Sequence, residues 1–249
     1  MVKKEEIKNI LCTVAYKGTN YSGWQMQGNA VGIQEVIENA IFNATRQKAE
    51  IFGSGRTDAG VHALGQTFNV QLNFNKVCKL PLALNAYLPN DIRVLSAKVV
   101  SDNFHARYSA HKKTYIYTLC TGEIESPFDY ETCEYIKYDL NIKEMQKGAS
   151  YFVGKHNFKA FCSAGTSVTG FEREIYSFSV TKLGGKVKFE ICGNGFLYNM
   201  VRILVGTLVD VGRNKIKTTD LPNIIESQNR QLAGKTMPAR GLCLKCVKY

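Results

Sequence analysis

The sequence predicts an α+β protein made of two joined halves, with a largely antiparallel sheet backed by helices. Three observations predict it. Strand-like and helix-like periodicities alternate along the whole chain. Gly184-Gly185 separates two strand patterns in the manner of a hairpin connection, since both residues accept positive φ. No low-complexity linker and no fixed-period repeat divides the 249 residues. The halves are placed at 1–110 and 111–249.

Residues 9–16 alternate as a strand does, with Ile10, Cys12, Val14 and Tyr16 on one face. A glycine-rich loop passes Trp24, and a helix follows whose apolar positions Ile33, Val36, Ile37, Ala40, Ile41 and Ala44 recur at three and four. A short strand near Ile51 leads into a second glycine-rich loop over 53–60. Phe68, Val70 and Leu72 mark the next strand, a helix covers 80–88 up to Pro89, and a strand runs over 92–100. In the second half a strand spans 113–120, and a helix starting near 141 carries the stripe Ile142, Met145, Ala149 and Phe152. Strands at 174–183 and 186–192 form the hairpin, a helix spans 196–211 with Gly212 as its C-cap, another helix begins near Asp220, and a strand over 242–249 closes the chain.

Composition excludes disorder and fibrous classes, because 45% of residues are hydrophobic and 21% charged, enough to build a large core. The 32 Lys and Arg against 21 Asp and Glu leave a formal charge of +11, distributed along the chain, which fits a broad surface facing a polyanion or a solubility charge. Eight cysteines lie scattered, mostly in apolar runs where cysteine serves as a small hydrophobe, and the pair Cys243 and Cys246 lacks partners at zinc-finger spacing. That usage predicts a reducing, cytoplasmic location. The charged start Met1–Glu6 opens no signal region, and no stretch reads as a membrane span.

The densest chemical signal is Gly53-Ser54-Gly55-Arg56-Thr57-Asp58-Ala59-Gly60-Val61-His62, which packs glycines, an arginine, a carboxylate and a histidine between two strands. No Gly-Lys-Ser/Thr follows, so it is not a phosphate-cradling loop, and neither the dinucleotide nor the serine-hydrolase pattern fits. What remains is a carboxylate on backbone able to turn tightly. Asp58 alone reads either as a turn residue or as a catalyst.

This loop resembles the signature of the TruA family of pseudouridine synthases, which modify the anticodon arm of transfer RNA. Further blocks match in order: Tyr16-Lys17-Gly18 through Tyr21-Ser22-Gly23-Trp24-Gln25, with Lys17 where an aspartate is usual; Asn85 with Leu88-Pro89-Asn90-Asp91-Ile92; Phe104-His105-Ala106-Arg107-Tyr108-Ser109-Ala110; Tyr115-Ile116-Tyr117; residues 154–158; residues 193–202 with Gly206; and Pro238-Ala239-Arg240-Gly241-Leu242. The resemblance implies isomerisation of uridine in the anticodon stem-loop, without cofactor or metal, by a homodimer of pseudouridine synthase-like fold that flips the target nucleotide into an active-site cleft between the halves. A paralogue acting on ribosomal RNA and a non-catalytic RNA-binding protein are the alternatives.

Carried onto this sequence, the resemblance makes Asp58 the nucleophile. A single carboxylate suits the reaction, because the detached base itself returns as acceptor and no water needs activation. Arg202 matches the arginine that keeps the nucleophile ionised. Tyr115 matches the active-site tyrosine, whose ring can stack on uracil and whose phenol can assist removal of the C5 proton. Arg56 matches the residue that fills the stack or holds the adjacent phosphate. Leu244 reads as an apolar wall under the base or as a core residue. Arg107, with Lys112, Lys113, Lys155 and Lys159, reads as phosphate-contacting or as a solvated face. His62 reads as shaping the loop.

Overall fold

The computed structural model describes residues 6–25, 30–165 and 169–249, and the chain divides into Met1–Ala110 with Leu244–Tyr249 as one unit and His111–Cys243 as the other. Met1–Glu5 and the part of the first glycine-rich loop at 26–29 lie outside the described residues.

In the first unit β1 (Lys8–Tyr16) runs antiparallel to β3 (His62–Leu72) on one side and to β4 (Ile92–Val99) on the other. The two-residue β2 (Phe52–Gly53) pairs with β3, which also neighbours β10 (Leu242–Lys248). The register of β1 shifts between Val14 and Tyr16, the kind of irregularity that bends a strand and re-aims its end. Here it bends the strand just before the Lys17–Trp24 segment. Helices α1 (Ile33–Thr45) and α2 (Leu80–Asn85) supply Ile33, Ile37, Ala40, Ile41, Leu80 and Leu84 to the core, each large aliphatic contributing roughly 1.5–3 kcal/mol by burial. Arg46 ends α1 with φ 59°, its N–H donating to the Phe42 carbonyl at 2.8 Å.

Two boundaries differ from the sequence expectation for a physical reason. β3 starts at His62 rather than near Phe68, because two buried polar side chains interrupt the apolar alternation: Gln66, which serves the neighbouring loop, and Thr67, whose hydroxyl pairs with that of Tyr249 at 2.5 Å. α2 stops at Asn85 rather than at 88, because the Asn85 amide donates to the Val94 carbonyl at 2.9 Å and accepts from the Val94 N–H at 2.8 Å.

Two buried amides tie the segment after β4 to the sheet. The Asn69 amide donates to Asn9 Oδ1 at 3.0 Å, while Asn69 Oδ1 accepts from the Ala106 N–H at 2.8 Å. Asn9 Nδ2 donates to the carbonyls of Ser101 and Phe104, both at 2.9 Å. Removing one member leaves buried polar groups unanswered, so Asn69→Ala is expected to cost about 2–3 kcal/mol of stability, read as a lower urea midpoint at unchanged slope.

In the second unit β5 (Lys112–Thr121) pairs antiparallel with β9 (Lys186–Gly193), β9 with β8 (Glu172–Leu183), and β8 with β7 (Gly154–Asn157). β6 (Glu134–Ile136) adds to β5 in parallel. The Gly184-Gly185 hairpin forms, with Gly184 at φ 56° and Leu183 facing Lys186. Three helices accompany these strands: α3 (Ile142–Ser150), between β6 and β7 and capped by Asn141, whose side chain accepts from the Glu144 N–H, then α4 (Met200–Gly212) and α5 (Leu221–Ser227) after β9. β6 and β7 escaped sequence reading, since three and four residues are too few to show a period.

α4 corrects two sequence expectations. It begins at Met200 rather than 196, because Asn199 takes a left-handed φ of 59° that no helical residue adopts. It also contains Gly212 as its last residue, with Arg213 at φ −95° as the cap. Gly212 serves close packing instead: a Cβ there would lie 2.5 Å from Met145 Sδ on α3, and one at Gly148 would lie 2.8 Å from Leu208 Cδ2 on α4. Both units are α+β with largely antiparallel pairing, as the alternation of periods predicts.

Candidate active site

The loop bearing Asp58 is fixed from two sides by its own unit. From one side, the segment following β1 clasps it: the Trp24 N–H donates to the Thr57 carbonyl at 3.0 Å and the Gly60 N–H donates to the Tyr21 carbonyl at 3.3 Å. The Tyr16 hydroxyl and Thr57 Oγ1 share a buried hydrogen bond of 2.8 Å. The Gly18 N–H donates to His62 Nδ1 at 3.0 Å, so the buried imidazole accepts at that nitrogen and holds the loop's exit. His62 thus shapes the loop, as the sequence reading has it. From the other side, Gln66 bridges: its Oε1 accepts from Ser54 Oγ at 2.5 Å and its amide donates to the Gly55 carbonyl at 2.9 Å.

Glycine is required where these strands of backbone meet. Gly23 has φ 92°, and a Cβ on it would lie 2.5 Å from the Thr57 carbonyl oxygen. At Gly53 a Cβ would meet Trp24 Nε1 at the same 2.5 Å, so the indole packs flat on the loop's first residue. Within this frame Asp58 is half-buried, its carbonyl accepting from the Val61 N–H at 3.1 Å, and Arg56 is exposed. The backbone that carries Asp58 is therefore held in one conformation by its neighbours.

Tyr115 and Arg202 belong to the second unit. Tyr115 faces Ile191 in the β5/β9 ladder and sets its half-buried ring edge-on to Phe196, centroids 5.2 Å apart at 87°. Phe196 lies in the loop 194–199 that leads into α4. Arg202, third residue of that helix, donates through Nε to the Met237 carbonyl at 2.5 Å and through Nη1 to Asn199 Oδ1 at 2.7 Å. Asn199 in turn donates to Ser163 Oγ at 3.0 Å. At the start of this loop, a Cβ at Gly193 would lie 2.7 Å from the Glu174 carbonyl, to which Asn194 donates its N–H at 3.0 Å. Tyr115 and Arg202 thus each touch the loop 194–199, Tyr115 at Phe196 and Arg202 at Asn199. Arg56, Asp58, Arg107 and Leu244 belong to the first unit, Arg107 exposed and Leu244 only 1% exposed in β10.

Comparison with known proteins bears directly on this arrangement. The family described as tRNA pseudouridine synthase matches residues 13–109 and 149–249. The chain belongs to that family. A protein of Thermoanaerobacter sp. (strain X514) named tRNA pseudouridine synthase A is 46% identical over 244 residues, covering 98% of this chain and 100% of that one. Proteins of the same name from Caldicellulosiruptor saccharolyticus, at 45% over 245 residues, and Brevibacillus brevis, at 40% over 248, also cover 98% of this chain and 100% of their own lengths. A crystal structure of a Cbf5-Nop10-Gar1 complex is a distant likeness, with TM-score 0.37 and 14% identity over 94% of this chain and 57% of that one.

Of the candidate residues, Arg56, Asp58, Arg107, Arg202 and Leu244 fall within the spans matched to the tRNA pseudouridine synthase family, whereas Tyr115 falls in the intervening stretch. The same stretch brings Cys120, Asp129 and Cys133 within 4.8 Å of one another. Lys186 Nζ already answers the Asp129 carboxylate at 2.6 Å, and burial pushes the Cys120 thiol up to about 12, with Cys133 and Asp129 adding to the rise. The group is thus charge-balanced as a packed turn. All eight cysteines are thiols, and Cys12 in the first core is likewise pushed up to about 12 by burial. Among the described residues no helix is long and apolar enough to cross a membrane.

Sequence reading missed the residues that hold the site. Gln66 was detectable as a glutamine inside an otherwise apolar strand pattern, and Asn199 as an asparagine interrupting a helical one. The seat of Trp24 on Gly53 has no local signal, because the two are far apart in sequence.

Proposed function

We propose that this chain converts uridine to pseudouridine in the anticodon stem-loop of tRNA, with Asp58 as nucleophile. The observation that carries the reading is the Asp58 loop, fixed by its neighbours and embedded in a chain matched to tRNA pseudouridine synthases. The Asp58 carboxylate adds to the uridine, the bond from C1′ to N1 breaks, the uracil turns, C1′ joins C5, the bond to Asp58 breaks to free the carboxylate, and the C5 proton leaves as N1 gains one. Substrate and product have the same atoms, so the step needs no oxidant, reductant or second substrate. Tyr115 presents its ring to the uracil and its phenol to the C5 proton. Arg202, oriented by Asn199 and Met237, supplies the positive charge that keeps the reacting carboxylate ionised. Arg56, exposed beside Asp58, takes the place vacated by the flipped nucleotide or the phosphate next to it, and Leu244 backs the base.

The formal charge of +11 supports a polyanionic substrate. The three relatives named above carry tRNA in their names, which favours tRNA over ribosomal RNA. The protein works in the cytoplasm as a homodimer. Incubating it with an unmodified tRNA transcript carrying tritium at uridine C5 is expected to release tritium in proportion to pseudouridine formed. Absence of release from every transcript tried removes the isomerase reading.

A further inference from the structure

The segment 104–109 combines a pinned backbone with open aromatic rings. Ala106, fully buried, donates its N–H to Asn69 and accepts from the Tyr249 hydroxyl at 3.0 Å. The Ser109 N–H donates to the His105 carbonyl at 2.9 Å, and the Arg107 N–H donates to His105 Nδ1 at 3.1 Å, which sets the imidazole's orientation. Outward of this turn, Phe52 and His105 lie with centroids 5.2 Å apart, His105 and Tyr108 4.4 Å apart at 40°, and the Arg107 guanidinium 5.8 Å from the Tyr108 ring centre. Tyr108 is 77% exposed and Phe52 39%. A ring so exposed gives little to the core, and what it touches is the His105 ring and the Arg107 guanidinium.

We propose that Phe52, His105 and Tyr108 form a stacking platform for an unpaired base of the substrate RNA, with Arg107 on the adjoining phosphate. The inference rests on the RNA-modifying reading above. Rigid rings beside a guanidinium, on a chain of charge +11, match how proteins hold single-stranded RNA: bases stack on the rings and phosphates meet the cations. The platform is continuous in sequence with the chemistry, since Phe52 directly precedes the loop that carries Asp58. Flipping a uridine out of its stack costs a few kcal/mol and leaves its neighbours unstacked. A protein surface that stacks one such neighbour returns part of that cost.

The test measures binding of an unmodified tRNA transcript and tritium release in parallel. Tyr108→Ala is expected to weaken binding roughly 5- to 100-fold, the range seen when a stacked base loses its aromatic partner, while Tyr108→Phe restores it. Arg107→Gln is expected to lower the slope of log affinity against log salt by about 1. Phe128→Ala, at a ring 94% exposed in the other unit, serves as the control and leaves binding unchanged. With 4-thiouridine in the transcript, irradiation is expected to cross-link a peptide containing His105 or Tyr108. Equal binding by Tyr108→Ala overturns the platform, as does equal weakening by Tyr108→Phe, which points to the hydroxyl. Unchanged tRNA affinity with loss of self-association in Tyr108→Ala makes the patch a protein interface and also overturns it. A parent protein that neither binds tRNA nor releases tritium sinks the RNA-modifying reading instead, so the two failures are distinguishable.

Discussion

Asp58→Asn is expected to lower pseudouridine formation by about 10,000-fold or more, with tRNA binding and unfolding midpoint close to those of the parent protein. The substitution keeps the side chain's size and removes its negative charge, and the amide nitrogen cannot add to the sugar or base. The loop is anchored at other residues: Thr57, Gly60, Gly55 and His62 are held through Trp24, Tyr16, Tyr21, Gln66 and Gly18. Asp58→Glu keeps the charge and moves it by one methylene, for which about a 100-fold loss is expected. Single-turnover tritium release with saturating enzyme separates these outcomes from changes in affinity. Parental turnover by Asp58→Asn removes Asp58 from the nucleophile's role and leaves the family assignment untouched.

The fold was legible wherever a period ran for two turns or four alternations. The stripe of α1, the β8/β9 hairpin and β1 are such cases: Ile33, Ile37, Ala40 and Ile41 are buried as the spacing selects while Val36 and Ala44 are half-buried, and in β1 Asn9 and Leu11 are buried beside the selected Ile10, Cys12, Val14 and Tyr16. Errors arose where a residue's role is tertiary. Gly212 reads as a helix stop because glycine commonly ends helices, but what excludes a side chain there is Met145, a residue on another helix. Gln66 and Thr67 hide the first half of β3 because they are buried polar groups, tolerable only once Ser54 and Gly55 answer Gln66 and the Tyr249 hydroxyl answers Thr67. The site divides in the same way. Asp58, Tyr115 and Arg202 stand as candidates because their blocks resemble a known family. The residues that hold them, among them Gln66, Asn199 and Trp24, work through contacts that no local pattern announces.

Gly23→Ala is expected to reduce turnover about 100-fold while leaving tRNA affinity near the parent's, although residue 23 carries no chemical group. Two effects add. The backbone at Gly23 has φ 92°, which strains any residue with a Cβ by roughly 1–3 kcal/mol. The new methyl would also lie 2.5 Å from the Thr57 carbonyl oxygen and 3.1 Å from the Asp58 carbonyl carbon. Backbone is what it strikes, so no side chain can turn aside to make room. Thr57 cannot retreat without losing the hydrogen bond from the Trp24 N–H at 3.0 Å, and Ala59 N, 3.2 Å from the methyl, closes the same side. The loop must therefore shift as a unit, carrying the Asp58 carboxylate with it. Gly184→Ala isolates the backbone contribution: it too has positive φ, 56°, but its Cβ would meet nothing within 4 Å, so it should lose stability and keep turnover. If Gly23→Ala turns over tRNA at the parental rate, the clasp around Thr57 is not what positions the nucleophile. If it loses turnover and Gly184→Ala does not, the opening motif's glycine acts by holding the catalytic loop in place.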